Sequence, residues 1–328
     1  MKKKTVFICA ILSLMPLGNP LLTKTGLVLS TTESMLSVTE NLYVRNADHF
    51  FNSAYDKAEK GDHYGAISDY TKAIKINPKD GDAYYNRGLS KHALNDYYGA
   101  ISDYTKAIKI NPKDGDAYYN RGNAKDDLND YYGAISDYIK AIELNPNNAD
   151  AYHNRGSSKE SLEDYKGALK DYEKALSINP DDYLTWQGVG AAKSGMGDHY
   201  GAISAYNSSI ELNPNNADAY YNRGNSKEDL KDYSGAISDY TKAIEINPND
   251  AKSYYNRGYA KDEIQDYSGA ISDYTKVIEI TPNDKSAYKN RGIAKENIGD
   301  LKGACADWRQ TVFLYPNDAA ASWVRDQC

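Results

Sequence analysis

Phenylalanine, tryptophan and methionine are scarce in this chain: 4 Phe, 3 Trp and 4 Met stand against 31 Tyr in 328 residues. A core built from it must lean on a ring whose hydroxyl needs water or a partner. Net positive charge is missing too. The formal balance is −7, which argues against a nucleic-acid binder that works by neutralising phosphate. Histidine is limited to His49, His63, His92, His153 and His199, with no two spaced as a ligand pair. The three Cys show no metal spacing, and no glycine-rich phosphate loop or nucleophile motif is present. The chain is therefore read as a non-enzyme, with no cofactor and no metal.

The first 30 residues differ from the rest. "MKKK" is a basic start, "TVFICAILSLMPL" is an apolar run too short to span a bilayer comfortably, and polar residues follow. Residues 1–30 are expected to be a signal peptide, which makes the protein exported, periplasmic or secreted. The alternative is an anchor in which residues 5–22 stay in a membrane, the only membrane link foreseen. Residues 31–46 are polar and lack caps, so they are expected to be a flexible linker.

Proline is rare and placed by rule. Of 10 prolines, Pro16 and Pro20 lie near the start, and the other eight run from Pro78 to Pro316 at steps of 34 residues. Such a period marks a stack of supersecondary pieces. One copy, "GDAYYNRGNAKDDLNDYYGAISDYIKAIELNPNN" from Gly115, shows the logic. Asp116 suits a first helical turn, "LND" at Leu128 is a turn, and Asp130 can cap a second helix. Ala134, Ile135, Tyr138, Ala141 and Ile142 then make a helical stripe, which Asn145 and Pro146 stop. The pattern predicts eight antiparallel helix pairs at 47–80, 81–114, 115–148, 149–182, 183–216, 217–250, 251–284 and 285–318. A truncated helix over 319–328, anchored by Trp323, is expected to cap the last pair.

Within each copy, an Arg and an Asp sixteen residues later occur together: Arg87 with Asp103, Arg121 with Asp137, Arg155 with Asp171, Arg223 with Asp239, Arg257 with Asp273, and Arg291 with Asp307. In the fifth copy Val189 and Ala205 replace both, and in the first Ser53 faces Asp69. A guanidinium near a core needs an anion, so structural ion pairs are expected. The Lys125 column keeps its Lys in all eight copies, as the Asp130 column keeps its Asp, so any pairing there should survive in the fifth. Gly122 is expected to let helix backbones approach beside Ala134, at a cost in helix propensity of about 1 kcal/mol.

Tyr118, Gly122, Ala134, Tyr138 and Pro146, with their equivalents, resemble the tetratricopeptide repeat pattern over 47–318. Arg121 and Lys125 depart from it, where the family usually has Leu and Tyr. The resemblance implies an all-α, right-handed superhelical solenoid of antiparallel helix pairs, with a C-terminal capping helix. It also implies a concave groove lined by the first helices. Its residues here would be Tyr85, Asn86, Asp116, Tyr119, Asn120, Asn123, Asp150, Asn154, Asp218, Tyr221, Asn222, Asn225, Tyr255 and Asn256. Asn amides would bond a peptide backbone, tyrosines would stack, and carboxylates would favour cationic side chains. Capture of a C-terminal carboxylate is not expected, because the Lys positions used for it hold Tyr or Asp in most copies.

The function expected is a scaffold that binds extended, basic peptide segments of other proteins and no nucleic acid. The alternatives are a membrane-anchored assembly or maturation factor, and the substrate-recruiting subunit of an enzyme complex. The fifth copy, small and neutral at Gly188, Ala191, Ser194 and Gly195, reads as a specificity pocket, a flexible joint or a decayed repeat. Cys305 and Cys328 fall within reach in such a stack. A disulfide between them, or two free thiols, would both fit an exported chain.

Overall fold

The computed structural model describes residues 45–314 and 320–328. The signal or anchor segment and residues 31–44 of the expected linker lie outside the described residues. Residues 45 and 46, placed in that linker, are already helical. Among the described residues all regular structure is α-helical, and no helix is long and apolar enough to cross a membrane. The chain divides into two compact bodies between Ala83 and Tyr84.

The first body carries repeat one, in helices α1 (45–59) and α2 (His63–Ile76). Ala54, Ala66, Tyr70 and Ala73 are fully buried, and Phe51 meets the Tyr70 ring edge-on at 5.5 Å. Asp69 is buried as well. Lys57 at 2.5 Å, Lys72 at 2.6 Å and Ser53 at 2.8 Å surround it and hold its carboxyl far below the ordinary range.

Repeat two pairs α3 (Gly81–Ala93) with α4 (Tyr97–Ile110). Then come α5 (Gly115–Asp126) with α6 (Tyr131–Leu144), α7 (Ala149–Ser161) with α8 (Tyr165–Ile178), and α9 (Tyr183–Gly195) with α10 (His199–Leu212). Repeats six to eight add α11 (Ala217–Asp229) with α12 (Tyr233–Ile246), α13 (Ala251–Glu263) with α14 (Tyr267–Ile280), and α15 (Lys285–Asn297) with α16 (Leu301–Leu314). In the second body each helix packs on the next, and first helices of consecutive repeats also touch. The result is a solenoid of antiparallel helix pairs.

Local chemistry explains each pair. Asp114 accepts from the Ala117 N–H at 3.0 Å and Asp130 from the Gly133 N–H at 3.0 Å, so both helices start on a capped donor. The second cap explains a glycine that periodicity leaves unexplained. A Cβ on Gly133 would lie 2.1 Å from the Asp130 carboxylate. The turn between the helices needs a left-handed residue in every repeat. Gly61, Gly197 and Gly299 supply it without strain, whereas Asn95, Asn129, Glu163, Lys231 and Gln265 adopt it at φ of 60° to 66°.

In repeats one to seven the core layer is built on a tyrosine, as Tyr138 with Ala134, Ala141 and Ala124, none more than 1% exposed, and repeat eight puts Trp308 in its place. A buried ring removes about 150–250 Å² from water, roughly 4–6 kcal/mol before entropy is subtracted. Gly122 makes room for that ring. A Cβ there would stand 2.7 Å from Tyr138 Cε1, so the glycine serves the tyrosine ring and not the close approach to Ala134 expected from the sequence.

Candidate functional site

The Arg and Asp columns meet inside each of the six repeats that carry both. Arg121 Nε lies 2.8 Å from Asp137 Oδ2, and its Nη2 lies 2.6 Å from Oδ1. The same fork joins Arg87 to Asp103, Arg155 to Asp171, Arg223 to Asp239, Arg257 to Asp273 and Arg291 to Asp307. These aspartates are at most 4% exposed. Each guanidinium also lies over a tyrosine of its own helix, Arg121 at 5.4 Å from the Tyr118 ring. The Lys column closes the site: Lys125 Nζ is 2.7 Å from Asp137 Oδ2, with equivalents at 2.7–2.8 Å in repeats two, four, six, seven and eight. This corrects the expectation for repeat five. Lys pairs with the buried Asp and not with the Asp130 column, so Lys193, facing Ala205, loses that partner.

The Tyr and Asn columns bond to each other across repeats. Asn120 Nδ2 donates to the Tyr85 hydroxyl at 2.9 Å and to the Asp116 carbonyl at 3.0 Å. Asn154 donates to Tyr119 and to Asn123 Oδ1, both at 3.0 Å, and Asn256 to Tyr221 at 3.2 Å and Asn225 at 3.0 Å. Asn123 and Asn225 also accept from the core hydroxyls of Tyr138 and Tyr240 at 2.8 Å. Each column tyrosine leans on a core tyrosine, Tyr119 on Tyr138 at 6.0 Å between centroids. Burial pushes the Tyr85 hydroxyl up to about 12. The expectation of open amides and stacking tyrosines is therefore revised: the amide donors of Asn120, Asn154 and Asn256 are already spent, and Tyr85, Tyr119, Tyr221 and Tyr255 form a half-buried wall. Asn86 stands half-buried in the same column.

Carboxylates remain open on this face. Asp116, Asp150 and Asp218 are exposed near the starts of α5, α7 and α11. Further along the first helices, Asp126, Glu160, Glu228 and Asp262 are half-buried, and burial is the main cause that raises each above the ordinary carboxylate range. No group of His, Cys, Asp and Glu among the described residues could hold a metal.

Profiles of the tetratricopeptide repeat match residues 81–114, 115–148, 149–182, 217–250 and 239–272, and a related repeat profile matches 55–94 and 196–230. Together they span well over half of the chain. The chain is a tetratricopeptide repeat protein.

Solved structures share its fold. A tetratricopeptide repeat protein from Parabacteroides merdae matches with a TM-score of 0.59 at 20% identity, over 76% of this chain and 99% of that one. The structure reported for pilF of Pseudomonas aeruginosa gives 0.56 at 18% identity, covering 65% and 97%. The Cut9–Hcn1 assembly gives 0.55 at 17%, covering 80% and 52%. No curated protein matches the chain. Membership of the family makes the protein an interaction scaffold.

Repeat five interrupts the tetratricopeptide ladder. His153 turns to the Thr185 hydroxyl at 2.7 Å, Gln187 accepts from Asn216 at 2.8 Å, and Gly188 has no side chain to offer. A Cβ on Gly188 would meet the Tyr172 ring at 2.6 Å. The Asn222 carboxamide, which would answer a tyrosine in repeat five, has no partner among the described residues. At the C-terminus, α17 (Ala320–Gln327) lays Trp323 against Trp308 at 5.3 Å, over Ala304 and Val312. Cys305 and Cys328 are disulfide-bonded, and Arg309 donates to the Cys328 carbonyl at 2.8 Å.

Proposed function

We propose that the protein holds extended, lysine- or arginine-rich segments of partner proteins against the face made by its first helices. One observation carries this reading. In six repeats the Arg and Lys of the first helix are consumed by a buried Asp, so they do not neutralise the carboxylates beside them. Asp116, Asp150 and Asp218 stand exposed along that face, and Asp126, Glu160, Glu228 and Asp262 sit deeper in it. A file of negative charge on a rigid surface attracts cationic chains and fixes their register. We also infer an exported location. The basic and apolar start of the sequence supports it, and so does the Cys305–Cys328 bond, which suits an oxidising compartment.

The test is selection from a random peptide library with the full chain, repeated at 0.05 M and at about 0.5 M salt, where the screening length falls to a few Å. Enrichment of Lys and Arg, lost at high salt and in an Asp116→Asn/Asp150→Asn/Asp218→Asn variant, is the expected result. Enrichment of neutral or acidic peptides, or salt-independent capture, would refute the proposal.

A further inference from the structure

The capping helix is fastened at its far end by a bond that the surface leaves open. Lys302, Cys305 and Arg309 stand at i, i+3 and i+7 of α16, so one stripe of that helix carries a cysteine between two cations. Cys305 is bonded to Cys328, the residue that follows α17. The two cysteines are unequal: Cys305 is 7% exposed, whereas Cys328 is open to solvent. A hollow of about 290 Å³ lies beside the bond, lined by Leu301, Lys302, Cys305, Arg309, Gln327 and Cys328. A small molecule therefore has a way in.

What the bond holds is short. Helix α17 has eight residues, and a helix of that length does not persist alone in water. Its other ties are the packing of Ala320, Trp323 and Val324 on Ala304, Trp308 and Val312, the Lys289 ammonium 5.5 Å from the Trp323 ring, and the hydrogen bond from Arg309 to Cys328. Beneath it lies the apolar end of the array, with Trp308 1% and Ala304 0% exposed.

Exchange at this bond has a direction. A thiolate attacks one sulfur of a disulfide and expels the other, and departure is faster for the thiol that ionises more easily. Cys328 offers the open sulfur. Cys305 is then the leaving group, and the two cations on its stripe favour its thiolate.

We propose that the Cys305–Cys328 bond is a thiol-exchange site, attacked at Cys328 by a small thiol, and that its opening releases α17 from the end of the array. The incoming sulfur bonds to Cys328 Sγ, the electron pair of the S–S bond leaves with Cys305 Sγ, and Cys305 takes up a proton. The products are a mixed disulfide at Cys328 and a free Cys305 thiol. One thiol is consumed and one is formed, so the step needs no outside oxidant or reductant. With α17 released, the layer of Ala304 and Trp308 becomes the uncapped end of a repeat stack.

Full-length protein is treated with mercaptoethanol, quenched with iodoacetamide and mapped by mass spectrometry, with oxidised glutathione as a fully open reference disulfide. The mercaptoethanol adduct should fall on Cys328 and the alkyl group on Cys305, at a rate within about tenfold of the reference. Hydrogen exchange of the α17 amides should rise at least tenfold in the adduct, while α13 and α14 keep their protection. Leu301→Trp, which fills the hollow from its rim, should slow the reaction about tenfold at an unchanged melting temperature. An adduct on Cys305, or a reaction a thousandfold slower than that of the reference, would overturn the site. A wild-type rate in Leu301→Trp would overturn the hollow as its entrance, and full protection of α17 in the adduct would overturn the release.

Discussion

Repeat five shows how this chain lives without its buried charges, and that solution can be transplanted. In repeat three, Asp137 is 3% exposed and is held by Arg121 and Lys125. Asp137→Ala strands two cations. Breaking a buried pair costs about 3–5 kcal/mol, and the lower end applies because Arg121 and Lys125 retain 16% and 20% of their side-chain exposure. Arg121→Val leaves Asp137 with Lys125, at about 2 kcal/mol, since one charge-assisted bond survives. The double variant recreates Val189 and Ala205, which pack with Ala168, Tyr172 and Ala192 at no more than 4% exposure. Its cost should be about 1 kcal/mol or less, because a well-packed apolar pair replaces a buried ionic one at little loss. The coupling is then about 4 kcal/mol. Repeat arrays do not unfold as one cooperative unit, so the measurement is native-state hydrogen exchange of the α5 and α6 amides. Single-variant costs that simply add in the double, with coupling below about 0.5 kcal/mol, would refute the reasoning.

Gly122→Ala should destabilise α5 and α6 by about 2 kcal/mol despite alanine's better helix propensity, because its Cβ meets the Tyr138 ring at 2.7 Å; a gain in exchange protection would contradict this. Lys231→Gly should stabilise repeat six by about 1 kcal/mol, since Lys231 holds φ at 61°, as read from the denaturation midpoint. Asp262 binds its proton more tightly folded, at about 6, than unfolded, at 3.8. Stability should therefore be greatest below that window, fall as pH rises through it and level off above. Asp262→Asn should make the slope shallower, leaving the part due to Asp126, Glu160 and Glu228, and gain about 1–2 kcal/mol at pH 7, allowing for partial exposure, which denaturation at pH 4 and pH 7.5 checks. Cys305→Ser should loosen α17 by about 3 kcal/mol, as expected for a bond closing 23 residues, with a red shift in Trp323 emission; two titratable thiols in the unreduced wild type would defeat the premise.

The step between prolines made the helix pairs legible, because a helix stop repeated without insertion leaves one way to divide the chain. The joint absence of charge at Val189 and Ala205 pointed to the Arg–Asp contact, since a pair that vanishes together has a shared cause. Invariance hid the rest. Lys193 remains in repeat five, so the column carried no sign that its partner is the same buried aspartate. The Tyr–Asn ladder joins residues 35 positions apart, and both types also suit an open binding surface, so composition could not separate a wall from a platform. The left-handed turn went unseen because Glu163, Lys231 and Gln265 occupy it without any glycine signal. The burial of the acids along the first helices needed coordinates, since nothing in the sequence separates the half-buried Asp262 from the exposed Glu263 beside it.

Each guanidinium finds its buried carboxylate inside its own repeat, whereas its bond to the repeat before, where there is one, goes to a neutral side chain, as from Arg121 to Thr105. A gene that gained or lost a whole period of 34 residues would leave no buried charge without its counter-ion. Growth and shrinkage of the array thus leave every buried Arg–Asp pair whole, and the length of the protein can follow the length of what it holds.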